Sequence, residues 1–279
     1  AMRVTTHCRE ASIQACHGLD HPYLQHAFRG PRQCFTVQHM TGYLILLRHG
    51  ESEWNREQRF TGWVDVDLTS LGRTQMREAA CAMREAGIEV DIAFASVLKR
   101  CVYSLWIALD EMERFWIPQK LDWRLNERHY GGLTGLSRRD AECEFGAARV
   151  MQWRRSIDIV PPPVGDRVKS LVALDERYRG CPVGRAFQGE SLRQTMERVR
   201  EVWVEELVPL LCQGRSVLLV GHGNALRALI GLVEKLDDDK LSQVEIANGT
   251  PIIYGFDETL APKSKRVFDA GSRTPSEIL

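Results

Sequence analysis

Two short apolar runs, each delivering a histidine set among glycines, constrain this chain more than any other feature. Residues 43–47 read Tyr-Leu-Ile-Leu-Leu and lead straight into Arg48, His49, Gly50 and Glu51. Residues 216–220 read Ser-Val-Leu-Leu-Val and lead into Gly221, His222, Gly223 and Asn224. Apolar runs this short suit strands buried on both faces, as in parallel sheets covered by helices. In such sheets ligands sit beyond the carboxyl ends of the strands. Both histidines are therefore expected in one cleft, where the glycines let backbone approach a ligand. A helix starting near Asn224 would offer unpaired amides and a positive dipole end to an anion.

The rest of the pattern supports that layout. Thr69 is placed to cap a helix that runs to Ala86 and stops at Gly87. Residues 90–95 read as a strand, and a helix over 98–112 puts Val102, Leu105, Leu109 and Met112 on one face. A third helix is expected over 138–148. Residues 161–189 hold four prolines and little periodicity, so they read as a long surface excursion. Ser191 then caps a helix carrying Leu192, Met196, Val199, Trp203, Leu207 and Leu210. A helix over 224–236 and a strand over 252–256 complete the series. The alternation predicts a three-layer α/β fold, a mostly parallel sheet flanked by helices on both faces.

A single catalytic domain is expected over residues 41–279, ample length for a full core. Residues 1–40 differ: they hold five of the eight histidines but neither strand alternation nor a helical stripe. Cys8, Cys16, His17, His21, His26, Cys34 and His39 match no zinc spacing, and the segment lacks the apolar block of a secretory signal. It reads as an extension ahead of a natural start at Met40. Thirty-seven basic residues balance thirty-seven acidic ones, so net charge points to neither a nucleic acid nor a membrane surface. No apolar run is long enough to span a bilayer. Eight cysteines without a CxxC pair read as free thiols in a reducing compartment, the cytoplasm.

Three chemistries compete for the paired histidines. A metal site is disfavoured because Arg48 sits beside His49 and no third ligand has suitable spacing. Two structural histidines would leave the repeated His-Gly layout at two strand ends unexplained. A phosphohistidine accounts for it: neutral imidazole is a good nucleophile toward phosphorus, and nearby arginines offset charge on the transferring group.

Leu-Leu-Arg-His-Gly-Glu-Ser-Glu-Trp-Asn at 46–55 closely resembles the signature of the histidine phosphatase superfamily, and more narrowly of the cofactor-dependent phosphoglycerate mutases. The narrower resemblance extends through Arg-Phe-Thr-Gly-Trp-Val-Asp-Val-Asp-Leu at 59–68, Ser-Val-Leu-Lys-Arg at 96–100 and Leu-Asn-Glu-Arg-His-Tyr-Gly at 125–131. It continues through Gln-Trp-Arg-Arg at 152–155 and Gly-His-Gly-Asn-Ala-Leu-Arg at 221–227.

The resemblance implies interconversion of 3-phosphoglycerate and 2-phosphoglycerate, primed by 2,3-bisphosphoglycerate and needing no metal. By the same resemblance His49 becomes phosphorylated, His222 stabilises the phosphoryl group in flight, Arg48 and Arg100 clamp it, and Glu127 is the general acid/base. Guanidinium forks suit a phosphoryl group's spread charge better than ammonium groups. Ser52, Asn55, Thr61, Gly62, Arg128, Tyr130, Arg138, Arg154, Arg155, Gly223 and Asn224 stand at the family's substrate-binding positions. His129 reads as orienting or structural. The implied partners are small phosphorylated three-carbon acids, and the implied assembly is a homodimer or homotetramer. Arg56 and Arg138 depart from the lysines usual in the family, and the tail over 263–279 is also unusual. A tail that covers the site, as the family's does, would draw on Lys263, Lys265 and Arg266. A bisphosphoglycerate synthase or phosphatase, or a broad phosphomonoesterase of the same superfamily, is the alternative. A non-enzymatic scaffold would require a lost catalytic residue, and His49, His222, Arg48, Arg100 and Glu127 are all present.

Overall fold

The computed structural model describes residues 42–165, 176–178, 189–268 and 276–277. The expected extension over 1–40, with its cysteines and histidines, lies outside the described residues, as does most of the tail beyond 268. Among the described residues seven strands form one sheet: β1 (Tyr43–Arg48), β2 (Ile92–Ala95), β3 (Gln119–Leu121), β4 (Val217–Gly221), β5 (Pro251–Phe256), β6 (Pro262–Val267) and the two-residue β7 (Ser276–Glu277). Their order is β3-β2-β4-β1-β5-β6-β7. The first four in that order are mutually parallel, and β5, β6 and β7 extend the sheet with antiparallel pairings.

The longer helices are α2 (Ser70–Glu85), α3 (Lys99–Glu111), α6 (Leu192–Val202) and α8 (Gly223–Val233). Shorter ones are α1 (Glu53–Arg56), α4 (Arg138–Phe145), α5 (Ala147–Arg155), α7 (Val208–Cys212) and α9 (Asp238–Gln243). Alternate residues of the central strands face opposite layers. Leu44, Leu46, Val217 and Leu219 pack against α6, α7 and α8. Ile45, Leu47, Leu218 and Val220 pack against α2 and α3. Both faces are thus dry, which is why the strands read as unbroken apolar runs.

Three differences from the sequence reading have local causes. The helix expected over 138–148 ends at Phe145, because Gly146 adopts φ +83° and turns the chain into α5. The helix capped by Ser191 widens into a π turn over Trp203–Leu207. Pro209, one residue into α7, has no N–H to donate, and its ring crowds the carbonyl four residues back. Strand β6 was not expected: it reads Pro-Lys-Ser-Lys-Arg-Val, half-exposed and next to the sheet edge. The five residues over 257–261 are too short for a crossover, so the chain returns antiparallel.

A close backbone crossing seats the end of β1 on α2. A Cβ placed on Gly50 would lie 2.1 Å from the Gly72 carbonyl oxygen, and one on Gly72 would lie 2.1 Å from that of Glu51. Thr69 Oγ1 caps the helix through Gly72 N at 3.0 Å, and Thr69 N donates to Glu51 O at 2.9 Å. The two glycines let helix and strand end meet without a side chain between them. Gly72→Ala would gain about 1 kcal/mol of helix propensity. The displaced backbone would cost about 1–3 kcal/mol or more, as overpacked sites do. The expected outcome is a lower Tm, by roughly 2–4 °C per kcal/mol lost, in thermal unfolding followed by circular dichroism. A Tm at or above wild type would show that α2 slides freely over Glu51.

Candidate active site

The pairing register brings the two histidines abreast. Leu44 stands opposite Val217, and four residues further on Arg48 stands opposite Gly221. The ladder continues through His49 N to Gly221 O at 3.0 Å. The next residue on each strand end is a histidine, and the rings of His49 and His222 meet edge to face with centroids 5.1 Å apart. The first long helix after β1, α2, packs on one face of the sheet; α8, which follows β4, packs on the other. Neighbouring strands whose helices diverge in this way open a crevice at their carboxyl ends.

His49 is 3% exposed and lines that crevice. Its Nδ1 lies 2.7 Å from the Gly50 carbonyl oxygen. A carbonyl can only accept, so Nδ1 carries the ring's proton and Nε2 keeps its lone pair. Burial, then the cations of Arg100 and Arg48, hold the His49 pKa well below the usual histidine value, against the opposing pull of the Gly50 bond. Asn248 Nδ2 fixes the backbone by donating to His49 O at 2.7 Å. His222 is fully buried under the same influences, with burial and Arg100 foremost, and is likewise held neutral. Its Nε2 lies 2.7 Å from Ser96 Oγ at the end of β2 and 3.3 Å from Cys101 Sγ. Burial pushes the Cys101 thiol up to about 12, so it remains a thiol.

Around the histidines opens a cavity of about 630 Å³. Arg48, His49, Asn55, Thr61, Arg100, Glu127, Tyr130, Arg138, Arg154, Arg155, Gly223 and Asn224 all line it. Among the described residues, seven arginines line the cavity against two glutamates, Glu127 and Glu245. Arg100 is buried, its Nη1 and Nη2 donating to Val64 O and Gly62 O at 2.8 Å each. Arg48 Nη1 donates to Ile246 O at 2.6 Å, while its Nε is buried with no partner among the described residues. Burial lowers the pKa of Arg154, and repulsion from Arg138 adds to it. A buried donor without an acceptor and a crowd of like charges both suit an entering anion.

Four of the expected residues stand behind the cavity wall. Ser52 is consumed by capping α1: its Oγ accepts from Asn55 N, and its own N–H donates to Asn55 Oδ1, each at 3.2 Å. Gly62 serves through its carbonyl, which holds Arg100. Arg128 is fully buried, donating to Glu190 O at 2.7 Å and Ile159 O at 3.1 Å. His222 lies beneath His49. Of the two arginines that replace lysines, Arg138 lines the cavity, whereas Arg56 is exposed on α1 outside it. Lys263, Lys265 and Arg266 belong to β6 and do not line the cavity either; Lys265 instead pairs with Glu234 at 2.8 Å.

The amide expected to hold a ligand at the start of α8 holds a side chain instead. Glu127 Oε1 accepts from Asn224 N at 3.2 Å and from Arg128 N at 2.7 Å. One carboxylate oxygen is thereby tied, and Oε2 stands near Gly223 and Arg48. The backbone of Glu127 is held as firmly: its carbonyl accepts from Trp63 Nε1 at 2.6 Å and from Arg198 Nη2 at 3.0 Å. Arg198 is buried in an ion pair with Glu190 at 2.8 Å and also donates to the carbonyls of Arg124 and Asn126. Burial alone would raise the Glu190 carboxyl, but Arg198 and the His129 N–H outweigh it and hold it below its ordinary value.

The sequence reading did not single out Glu190, Arg198, Arg59, Arg227 or Glu245. Arg227 carried a signal, since it lies one helical turn from Asn224 and bonds its Oδ1 at 3.2 Å. Glu245, Ile246 and Ala247 enter from a patternless loop after α9. No three His, Cys, Asp or Glu side chains converge as metal ligands among the described residues. Nor is any helix there long and apolar enough to cross a membrane.

Residues 44–266 match the histidine phosphatase superfamily, branch 1. A 2,3-bisphosphoglycerate-dependent phosphoglycerate mutase of Baumannia cicadellinicola subsp. Homalodisca coagulata is 43% identical over 217 residues, covering 78% of this chain and 92% of that protein. Among solved structures, a mycobacterial glucosyl-3-phosphoglycerate phosphatase in complex with VO3 superimposes with TM-score 0.59 at 25% identity. That match covers 76% of this chain and 92% of the other. Bacillus stearothermophilus YhfR superimposes with TM-score 0.58 at 24% identity over 77% and 92% of the two chains, a likeness of fold.

Two imidazoles held neutral by the fold regain ordinary basicity on unfolding. Below about pH 6.5 the unfolded chain therefore binds more protons, and stability falls as pH falls, by up to about 1.4 kcal/mol per unit for each ring. Urea unfolding at pH 7.5 and pH 5.5 should differ by about 2–3 kcal/mol on this account, the lower pH being less stable. Equal stabilities would mean that the rings take up protons inside the folded protein.

Proposed function

The chain belongs to branch 1 of the histidine phosphatase superfamily, and from that premise we propose that it interconverts 3-phosphoglycerate and 2-phosphoglycerate, with His49 as the phosphorylated group and 2,3-bisphosphoglycerate as the primer. The observation that carries this reading is the state of His49. It is a neutral imidazole with its proton committed to Gly50, at the floor of an arginine-lined cavity large enough for a three-carbon bisphosphate. The 43% identity to a protein bearing that enzyme's name supports the choice of substrate.

In the proposed cycle the 2-hydroxyl of 3-phosphoglycerate attacks the phosphorus on phosphorylated His49. The hydroxyl's proton passes to Glu127 as the new P–O bond forms and the N–P bond breaks. The resulting bisphosphate reorients, and His49 Nε2 attacks its 3-phosphorus. As that P–O bond breaks, the departing oxygen takes the proton back from Glu127, leaving 2-phosphoglycerate and a phosphorylated enzyme. Glu127 suits the task because one carboxylate oxygen is fixed by two backbone amides and the other faces Gly223. Arg48 and Arg100 are assigned to the transferring group, with the unpartnered Arg48 Nε as a ready donor. His222, neutral, fixed by Ser96 and packed against His49, is assigned by resemblance to the same oxygens. Asn55, Thr61, Tyr130, Arg138, Arg154, Arg155 and Asn224 are assigned to the carboxylate and the second phosphate, whose combined charge with the first is about four to five.

The alternative, a bisphosphoglycerate synthase or phosphatase or a broad phosphomonoesterase, draws support from the solved phosphatase at 25% identity. It differs in whether water or a second hydroxyl meets the phosphohistidine. We assign the enzyme to the cytoplasm, in keeping with the thiols of Cys81, Cys101 and Cys143, and to a homodimer or homotetramer on family grounds.

Purified protein is expected to convert 3-phosphoglycerate to 2-phosphoglycerate at a rate that rises with 2,3-bisphosphoglycerate and resists a metal chelator. Release of inorganic phosphate without isomerisation would favour the phosphatase alternative. His49→Ala should lose turnover by at least about 10⁴-fold, together with the acid-labile label from 2,3-bisphosphoglycerate carrying radioactive phosphate; retained turnover would end the phosphohistidine reading. Arg138→Lys keeps the charge but loses the fork, so the Michaelis constant should move a few-fold while turnover persists. Complete loss of turnover would mean that Arg138 serves the chemistry itself.

A further inference from the structure

One carboxylate on the cavity wall has no part in the cycle above. Glu245 sits in the loop following α9 and projects among cations, its Oε1 2.7 Å from Arg155 Nη2. Arg155 ends α5, on the helix pair whose small apolar core is Phe60, Leu133, Ala141, Val150 and Trp153. Glu245 belongs to the loop whose Val244 and Ile246 carbonyls brace Arg227 and Arg48. The ion pair therefore bridges two separately built walls of the cavity. Both side chains are substantially exposed, 40% for Arg155 and 71% for Glu245, as befits a pair at the mouth.

We propose that Glu245 is an internal counter-anion that pairs with Arg155 until the anionic end of an incoming ligand displaces it, so that it tunes the affinity of the cavity for polyanions. The chemistry is competition of like for like: a carboxylate and a phosphate seek the same guanidinium fork, and only one can have it. Arg227 and Arg154 also act on the Glu245 carboxyl, so the competition extends over the distal arginines. Without such a residue, the arginines along the cavity would bind a polyanion somewhat more tightly. The identity of the substrate rests on the mutase reading; the displacement of Glu245 by an anion does not.

The test uses inorganic pyrophosphate as the probe, its binding measured by isothermal titration calorimetry with no turnover involved. An exposed ion pair is worth up to about 1 kcal/mol, so Glu245→Gln is expected to tighten pyrophosphate binding about two- to fivefold. The Michaelis constant for 3-phosphoglycerate should fall by a similar factor. Glu89→Gln, which removes a charge from the exposed Arg114 partner away from the cavity, should leave the affinity at the wild-type value. In an Arg155→Gln background the effect of Glu245→Gln should shrink toward none, since the pair is already broken. Unchanged or weaker pyrophosphate binding by Glu245→Gln overturns the proposal, as does a full effect that persists without Arg155. Should pyrophosphate binding respond as expected while no isomerisation is seen, the mutase reading fails and this one stands.

Discussion

The pairing of β1 with β4 is the constraint on which the rest of the site depends. Five consecutive register pairs, Leu44 with Val217 through Arg48 with Gly221, leave no freedom in where His49 and His222 emerge. A slip of one residue would turn Ile45 and Leu47 from the α2–α3 layer to the α6–α8 layer and invert every neighbour with them. The apolar cost of that inversion is far larger than any interaction within the site. The geometry of the chemistry is thus borrowed from the packing of the core.

Upon that frame the protein sets a tension between burial and charge. Arg48 and Arg100 are drawn into a poorly solvated crevice, where burial opposes their charge. Backbone carbonyls of Val64, Gly62 and Ile246 offset part of the cost and aim the guanidinium groups. The same cations, with the burial, keep two imidazoles neutral a few ångströms away, which preserves the lone pair that a nucleophile needs. A second buried system, Arg198 with Glu190, holds the carbonyls of Arg124, Asn126 and Glu127 in the segment that follows β3. Breaking such a pair on one side typically costs about 3–5 kcal/mol, so the loop's position is stiffly specified.

What was readable along the chain followed from local rules. The caps at Thr69 and Ser191, the apolar faces of α2 and α3 and the double-sided burial of β1 and β4 all reflect neighbours within a few residues. What was missed depended on pairing that composition does not show. Strand β6 is polar in sequence and becomes a strand because the short return from β5 lays it along that strand's edge. Ser52, Gly62 and Arg128, given substrate positions by resemblance, do not line the cavity. Ser52 caps α1 and the Gly62 carbonyl holds Arg100, while Arg128 braces Glu190 with its buried Nη1 left without a partner among the described residues.

By itself the sequence determined the layered α/β fold and the two strand-end histidines, because apolar period and glycine placement are local properties; the arginines around them, Arg48 apart, were placed by resemblance to a family. The tertiary structure alone decided which polar group each of those residues meets. Only there does the amide of Asn224 fall to Glu127 rather than to a ligand, Arg198 clasp the backbone of Glu127 across 71 residues of chain, and Glu245 reach Arg155 across 90. Such contacts are made by elements brought together through core packing, and no spacing along the chain encodes them.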